Sequence, residues 1–233
     1  MAKTTTRPRP IRASERKHDA RPDTLDFRDR MYVPTLVEVP EEIPLAKYQA
    51  HKIPILDQGK EGACTGFGLA TVANYLLWTR KVVPRTQPVS PRMLYEMAKR
   101  YDEWPGESYS GSSARGAMKG WHKHGISSRQ HWIYDRKLEK QDGKLYSKRF
   151  DDALRRPLGA YFRVNHKDLI AVHAAISEVG ILYATSQVHE GWQNVGSDGV
   201  INWGTESQIN GGDAFAMVAY AEKGFWIQNS WAD

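Results

Sequence analysis

The chain has 233 residues, 40% of them apolar and eight of them Trp, enough for one large domain or two small lobes around a core and too apolar for a disordered protein. No run approaches the roughly 18 apolar residues of a membrane helix, and no apolar stretch follows the basic N-terminus as in a secretory signal. The net charge of +6 is concentrated: residues 1–22 carry seven Lys and Arg against Glu15 and Asp19, leaving about +1 for everything after. Nucleic-acid binding is therefore not expected, because the folded part shows no basic patch interleaved with aromatics. Cys64 is the only cysteine, which excludes an intrachain disulfide and a multi-cysteine metal site and points to a reducing, cytoplasmic location.

Residues 1–23 read as a disordered basic tail rich in Pro, Thr and Arg. Residues 24–45 read as an extended surface segment, since Pro34, Pro40 and Pro44 each restrain the preceding residue from helix. A short apolar stretch and a glycine turn, "KIPILDQGKEGA", lead into "CTGFGLATVANYLLWTRK", apolar almost all round and expected as a buried helix from Cys64. "SPRMLYEMAKRYDEW" is a second helix with Ser90 as cap and Pro91 in the first turn. "SGSSARGAMKGWHKHGI" is a third, ending at Gly125. Residues 127–160 show little periodicity. "NHKDLIAVHAAISEVG" is a fourth helix, capped by Asn165 and stopped by Gly180, and the strand-like runs "ILYATSQV", "GVINW", "AFAMVAYA" and "GFWIQNSW" follow. Helices first and strands last predict an α+β fold, with a helical lobe over 46–160 and a β lobe over 161–233. The β lobe is expected to be truncated at its C-terminus.

One constellation carries chemistry. A lone cysteine is usually a small hydrophobe, but Cys64 stands where a glycine-bearing loop enters a helix, and a helix N-terminus favours the thiolate. Gln58, six residues earlier, carries an amide able to donate toward an oxyanion beside the thiol. Adjacent His122 and His124 cannot share one metal with a helical neighbour and read as surface groups, and His173 reads as a core or rim histidine. No set of convergent metal ligands is expected, and no cofactor.

"PILDQGKEGACTGFGLA" and "GFWIQNSW" resemble the two signature segments of the papain family of cysteine peptidases, D-Q-G-x-C-G-S-C-W-A-F and Y-W-x-x-K-N-S-W. The resemblance implies Cys64 as nucleophile, Gln58 as oxyanion-hole donor, Asn229 as the residue orienting the catalytic histidine and Trp231 covering that contact. It implies a two-lobed fold, with Cys64 on the helical lobe, the His and Asn positions on an antiparallel β lobe, and a peptide or protein substrate in the cleft between. Glu61 where the family has a disulfide cysteine, and Thr65 where it has Trp, are similar to a bacterial, disulfide-free type. No long inhibitory prosegment is expected ahead of Ile43.

The largest departure is at Asp213, which lies 16 residues before Asn229, where the family carries its catalytic histidine. Ala219 and Ala232 also replace motif glycines. An imidazolium holds such a thiol at a pKa of about 3–4. A carboxylate with a reference pKa near about 3.9 instead repels the thiolate and raises its pKa. Only about one carboxyl in 10³ is protonated at pH 7 to supply the leaving amine, and losing positioned acid–base catalysis costs roughly 10²–10⁴-fold. The expectation is a peptidase homologue severely impaired in hydrolysis, with a non-catalytic peptide-binding protein as the alternative. Acyl transfer by the same thiol needs the same imidazole. His189 is a weak candidate to replace it, and Asp213 is expected to accept from Asn229 or Trp231 or to turn to solvent.

Overall fold

The computed structural model describes residues 15–24, 26–35, 38–102, 110–135, 142–204 and 208–232. Residues 1–14 of the basic tail and 103–104 at the end of the second predicted helix lie outside them.

The chain opens with a two-residue strand β1 (Ala20–Arg21) and a short helix α1 (Leu45–Gln49). The predicted buried helix follows as α2 (Cys64–Thr79), in which only Leu76 and Thr79 escape burial, as an all-round apolar pattern requires. In α3 (Pro91–Arg100) the Ser90 hydroxyl accepts from the Met93 amide as an N-cap, with Pro at the first position. After β2 (Ser112–Ser113), α4 (Ala114–His124) is capped by Ser113 and stopped by Gly125 at φ +70°. The aperiodic stretch holds one short helix, α5 (Ser147–Ala153).

Helix α6 (Leu169–Val179) ends at Gly180 in the left-handed region as expected, but its cap is Asp168, whose carboxylate accepts from the Ala171 amide. Asn165 caps the loop one turn earlier instead, accepting from Lys167. Strands β3 (Leu182–His189), β4 (Ile209–Ala221) and β5 (Gly224–Gln228) form one antiparallel sheet in the order β3-β4-β5. The run "GVINW" forms no strand; its place beside β3 is taken by the longer β4.

Helix α2 is the axis of the molecule. It packs on α3 on one side and on β4 on the other, so that residues of α2, α3 and α4 share a core with Ala216 and Val218 of β4. The close approach has a specific cause. A Cβ built on Gly68 would lie 2.7 Å from the Ala214 carbonyl oxygen, so the helix backbone rests directly on the strand. Cys64 lies four residues back along the helix from this contact, and Asp213 one residue back along the strand.

Charge organises the loop that precedes Cys64. Glu61, at the family's cysteine position, receives both Nη1 contacts of the buried Arg92 at 2.8 and 2.9 Å, and the other arm of that guanidinium reaches Glu96. Thr65, at the family's Trp position, is buried and shares a hydroxyl hydrogen bond of 2.6 Å with Ser112, tying the start of α2 to β2. Ala219 is fully buried next to a register shift in the β4–β5 pairing. Ala232 has φ +62°, a conformation a glycine adopts freely and an alanine does not.

Two stability changes follow. Gly68→Ala forces α2 off β4 and is expected to cost about 1–3 kcal/mol, read as a lower urea midpoint with unchanged slope; a wild-type midpoint would contradict the backbone contact. Ala232→Gly removes left-handed strain and is expected to raise stability by about 1 kcal/mol in the same titration.

Candidate active site

The start of α2 and the middle of β4 bring Cys64 and Asp213 together, both fully buried. Cys64 packs with Ala214 beside Asp213, near enough for the carboxylate to act on the thiol. Asp213 Oδ2 accepts from Asn229 Nδ2 at 3.0 Å, and Oδ1 accepts from the Ala214 amide at 2.9 Å. The carboxylate thus accepts from Asn229, as anticipated, and is turned inward rather than to solvent. Asn229 is itself fixed, its Oδ1 accepting from the Ser230 amide at 2.7 Å.

The electrostatics oppose ionisation of the sulfur. Burial pushes the Cys64 thiol well above its ordinary pKa, and the Asp213 charge pushes it further; the backbone amides of Ala214 and Thr65 lower it by less. Asp213 is in turn pushed up by burial, against which the Asn229 amide, the thiol, the Ala214 amide and the nearby His18 all act. A thiol and a carboxylic acid, each resisting its charged form, face one another.

Gln58 is fully buried and locked to the other signature segment. Its Oε1 accepts from Ser230 Oγ at 2.6 Å, its backbone amide donates to the Ser230 carbonyl at 3.0 Å, and its Nε2 donates to the Glu61 carbonyl at 3.2 Å. Trp231 bridges back to Asp57 and packs in a cluster with Trp192, Phe215 and Val188. His189 is not brought to the site: Asp213 lies opposite Ser186 in the β3–β4 register, three residues away. The His189 ring accepts from the Gly191 amide and sits edge-on to Trp203. His173 stacks on Tyr220 in the core, and His122 and His124 pair with the Gly159 carbonyl and the Tyr101 hydroxyl. Among the described residues, no three His, Cys, Asp or Glu side chains are placed to hold a metal ion, and no helix is long and apolar enough to cross a membrane.

The largest correction concerns the tail. Its described residues, 15–23, include a segment that lies across Cys64 and β4. Arg16 is 6% exposed, donating to Asp57 Oδ1 at 3.1 Å and to the Trp231 carbonyl at 2.5 Å. The His18 carbonyl accepts from the Gly212 amide at 3.1 Å, Asp19 bridges Gly212 in parallel, and β1 pairs in parallel with β2. Ala20 packs on Cys64, Ala214 and Tyr183. The two glycines before Asp213 admit this segment: a Cβ on Gly211 would lie 2.2 Å from the His18 carbonyl oxygen, and one on Gly212 2.2 Å from that of Ala20. Further on, Arg115 and Arg163 clamp Asp23 and Asp29, and Arg115 also pairs with Asp26. The segment from Arg16 to Arg21 therefore covers Cys64 and this part of β4. No periodicity or charge pattern marks so short an occupant, whose contacts are all long-range.

The site predicts its own titration. Iodoacetamide alkylation of Cys64 in the folded chain is expected to be slow at pH 7 and still rising above pH 9, because both causes of the shift favour the protonated thiol. A rate that levels off below pH 7 would overturn this electrostatic description.

No family model matches the sequence, and no curated protein matches it. Solved structures do resemble it. Xylellain, a cysteine protease from Xylella fastidiosa, superposes with a TM-score of 0.76 at 22% identity, over 93% of this chain and 85% of that one. Procathepsin B S9 from Trypanosoma congolense gives 0.66 at 18% identity, over 94% of this chain and 77% of that one. The cysteine protease and lectin-like domains of Cwp84 from Clostridium difficile give 0.62 at 19% identity, over 94% of this chain and 50% of that one. At such identities the likeness is one of fold, and every part of it agrees: this chain has the two-lobed α+β fold of the papain-like cysteine proteases.

Proposed function

We propose that this chain is a papain-like thiol peptidase homologue whose interlobe cleft receives an extended peptide beside Cys64, and whose peptide-bond hydrolysis is severely impaired. The observation that carries the reading is the fully buried Asp213 carboxylate, held by Asn229 and facing the thiol. In this reading Cys64 is the nucleophile in form, Gln58 and the first turn of α2 are the oxyanion donors, and Asn229 orients whatever occupies position 213, with Trp231 packed beside the same edge.

Hydrolysis by a thiol needs a group that takes the sulfur proton, stabilises the thiolate and returns a proton to the departing amine. Asp213 fails at each stage. Ionised, it repels the thiolate; neutral, it can donate a proton but offers no positive charge to the sulfur. The left-handed strain at Ala232, a motif glycine position, fits a site no longer held to its original sequence. A reducing cytoplasm would keep the single cysteine as a thiol.

A second reading, a peptide-binding protein that performs no chemistry, is favoured by one observation: an extended segment already lies in the groove with its backbone bonded to β4.

Hydrolysis of fluorogenic peptides by the purified chain and by its Asp213→His and Cys64→Ala variants tests the proposal. Asp213→His is expected to exceed the parent by about 10²-fold or more, with nothing left in Cys64→Ala. A parent rate that equals Asp213→His and disappears with Cys64→Ala would refute the impairment.

A further inference from the structure

Asn210 differs from every other asparagine of the chain. It alone is followed by glycine; Asn74, Asn165, Asn194, Asn202 and Asn229 precede Tyr, His, Val, Trp and Ser. It also lies outside the β3–β4 ladder. The register passes from Val188 opposite Gly211 to His189 opposite Ile209, which leaves Asn210 as the extra residue of a bulge, and it is exposed there. Elsewhere the carboxamides are tied down. Asn74 accepts from the Val89 amide and Asn165 from the Lys167 amide, Asn194 donates to the Glu190 carbonyl, and Asn229 is held between Asp213 and the Ser230 amide.

Gly211 supplies the second half of the arrangement. Its φ of +130° is one that glycine adopts without penalty, and with no Cβ it lets another group come close to its backbone nitrogen. The group at hand is the Asn210 carboxamide, one residue ahead, and asparagine is among the thermally labile residues. Two aspartates that precede glycine lack this freedom. Asp142 accepts from the Lys144 amide and the Tyr146 hydroxyl, and Asp198 accepts from the Val200 amide.

We propose that Asn210 is a site of spontaneous covalent modification, at which β4 converts its own side-chain amide into an acid with water as the co-reactant. The Gly211 nitrogen bonds to Asn210 Cγ, the Cγ–Nδ2 bond breaks, and Nδ2 leaves as ammonia, taking the Gly211 amide proton. Water then opens the succinimide ring, and no group is oxidised or reduced. Opening at Cγ leaves aspartate and the ordinary backbone. Opening at the Asn210 backbone carbonyl leaves isoaspartate, with one more carbon in the main chain. Either product lowers the formal net charge of +6 by one and adds a carboxylate to the strand that carries Asp213. The bulge is suited to take up the extra carbon, because residue 210 already has no partner on β3. None of this depends on whether Cys64 turns over or on what the cleft binds.

The test follows the full chain as it ages at neutral pH, folded and in urea, by peptide mass spectrometry and by enzymatic methylation of isoaspartate. The peptide carrying Asn210 is expected to convert before any other asparagine peptide and to take up methyl label. Conversion is expected to speed up at mildly alkaline pH, where the Gly211 nitrogen loses its proton more readily. The folded rate is expected to lie within about ten-fold of the rate in urea, because an exposed bulge near the start of a strand opens locally at little cost. Asn210→Gln, which needs a larger ring, is expected to lose the label while keeping the parent's urea midpoint. Retention of the Asn210 amide in the folded chain while the unfolded chain converts, earlier conversion of another asparagine, or label that persists in Asn210→Gln would each overturn the proposal.

Discussion

The contact of α2 with β4 is the constraint on which the site depends. Gly68 lets helix backbone meet strand backbone at a distance no side chain permits, so the first residue of the helix and the residue before Ala214 are forced together. With a histidine on the strand such a contact would produce a thiolate–imidazolium pair. With Asp213 it produces two groups that both prefer to stay neutral, in a place from which water is excluded. Asn229 ties the carboxylate to the other signature segment by donating to its Oδ2.

Charge and hydrogen bonds hold the loop that leads into that contact. Arg92 gathers Glu61 and Glu96 beside the loop that precedes Cys64, and Gln58 fastens the same loop to Ser230 at the other end of the chain. A buried guanidinium with two carboxylates is costly to desolvate and pays back only when well satisfied. Here Nη1 and Nη2 of Arg92 are met by Glu61 and Glu96, while its buried Nε has no hydrogen-bond partner among the described residues. The same chemistry recurs at Arg115 and Arg163, which grip the acidic residues that follow β1 and so keep the N-terminal segment in register with the groove.

That segment changes what the cleft means. Its backbone bonds to Gly212, its Ala20 covers the sulfur, and its His18 stands over the edge of the site. Beneath it a thiol and a carboxylate stand side by side, each resisting its charged form. The two glycines ahead of Asp213 admit the close approach of that backbone, at the His18 and Ala20 carbonyls.

The sequence by itself determined the local structure and the identity of the chemical groups. The all-round apolar pattern of 64–79 announced a buried helix, Ser90-Pro91 and Gly125 marked helix ends, and the 16-residue step from Asp213 to Asn229 placed a carboxylate where the papain-like pattern has an imidazole. These signals are legible because capping, periodicity and motif spacing are short-range. Only the tertiary structure decided what those groups touch. The choice of Asp168 over Asn165 as a cap, the absence of a strand at "GVINW" and the exclusion of His189 follow from packing and register, which no window of sequence contains. The ordered segment over the groove was hidden for the same reason. Arg16, His18 and Ala20 carry no local pattern, and their partners lie as much as 215 residues away along the chain.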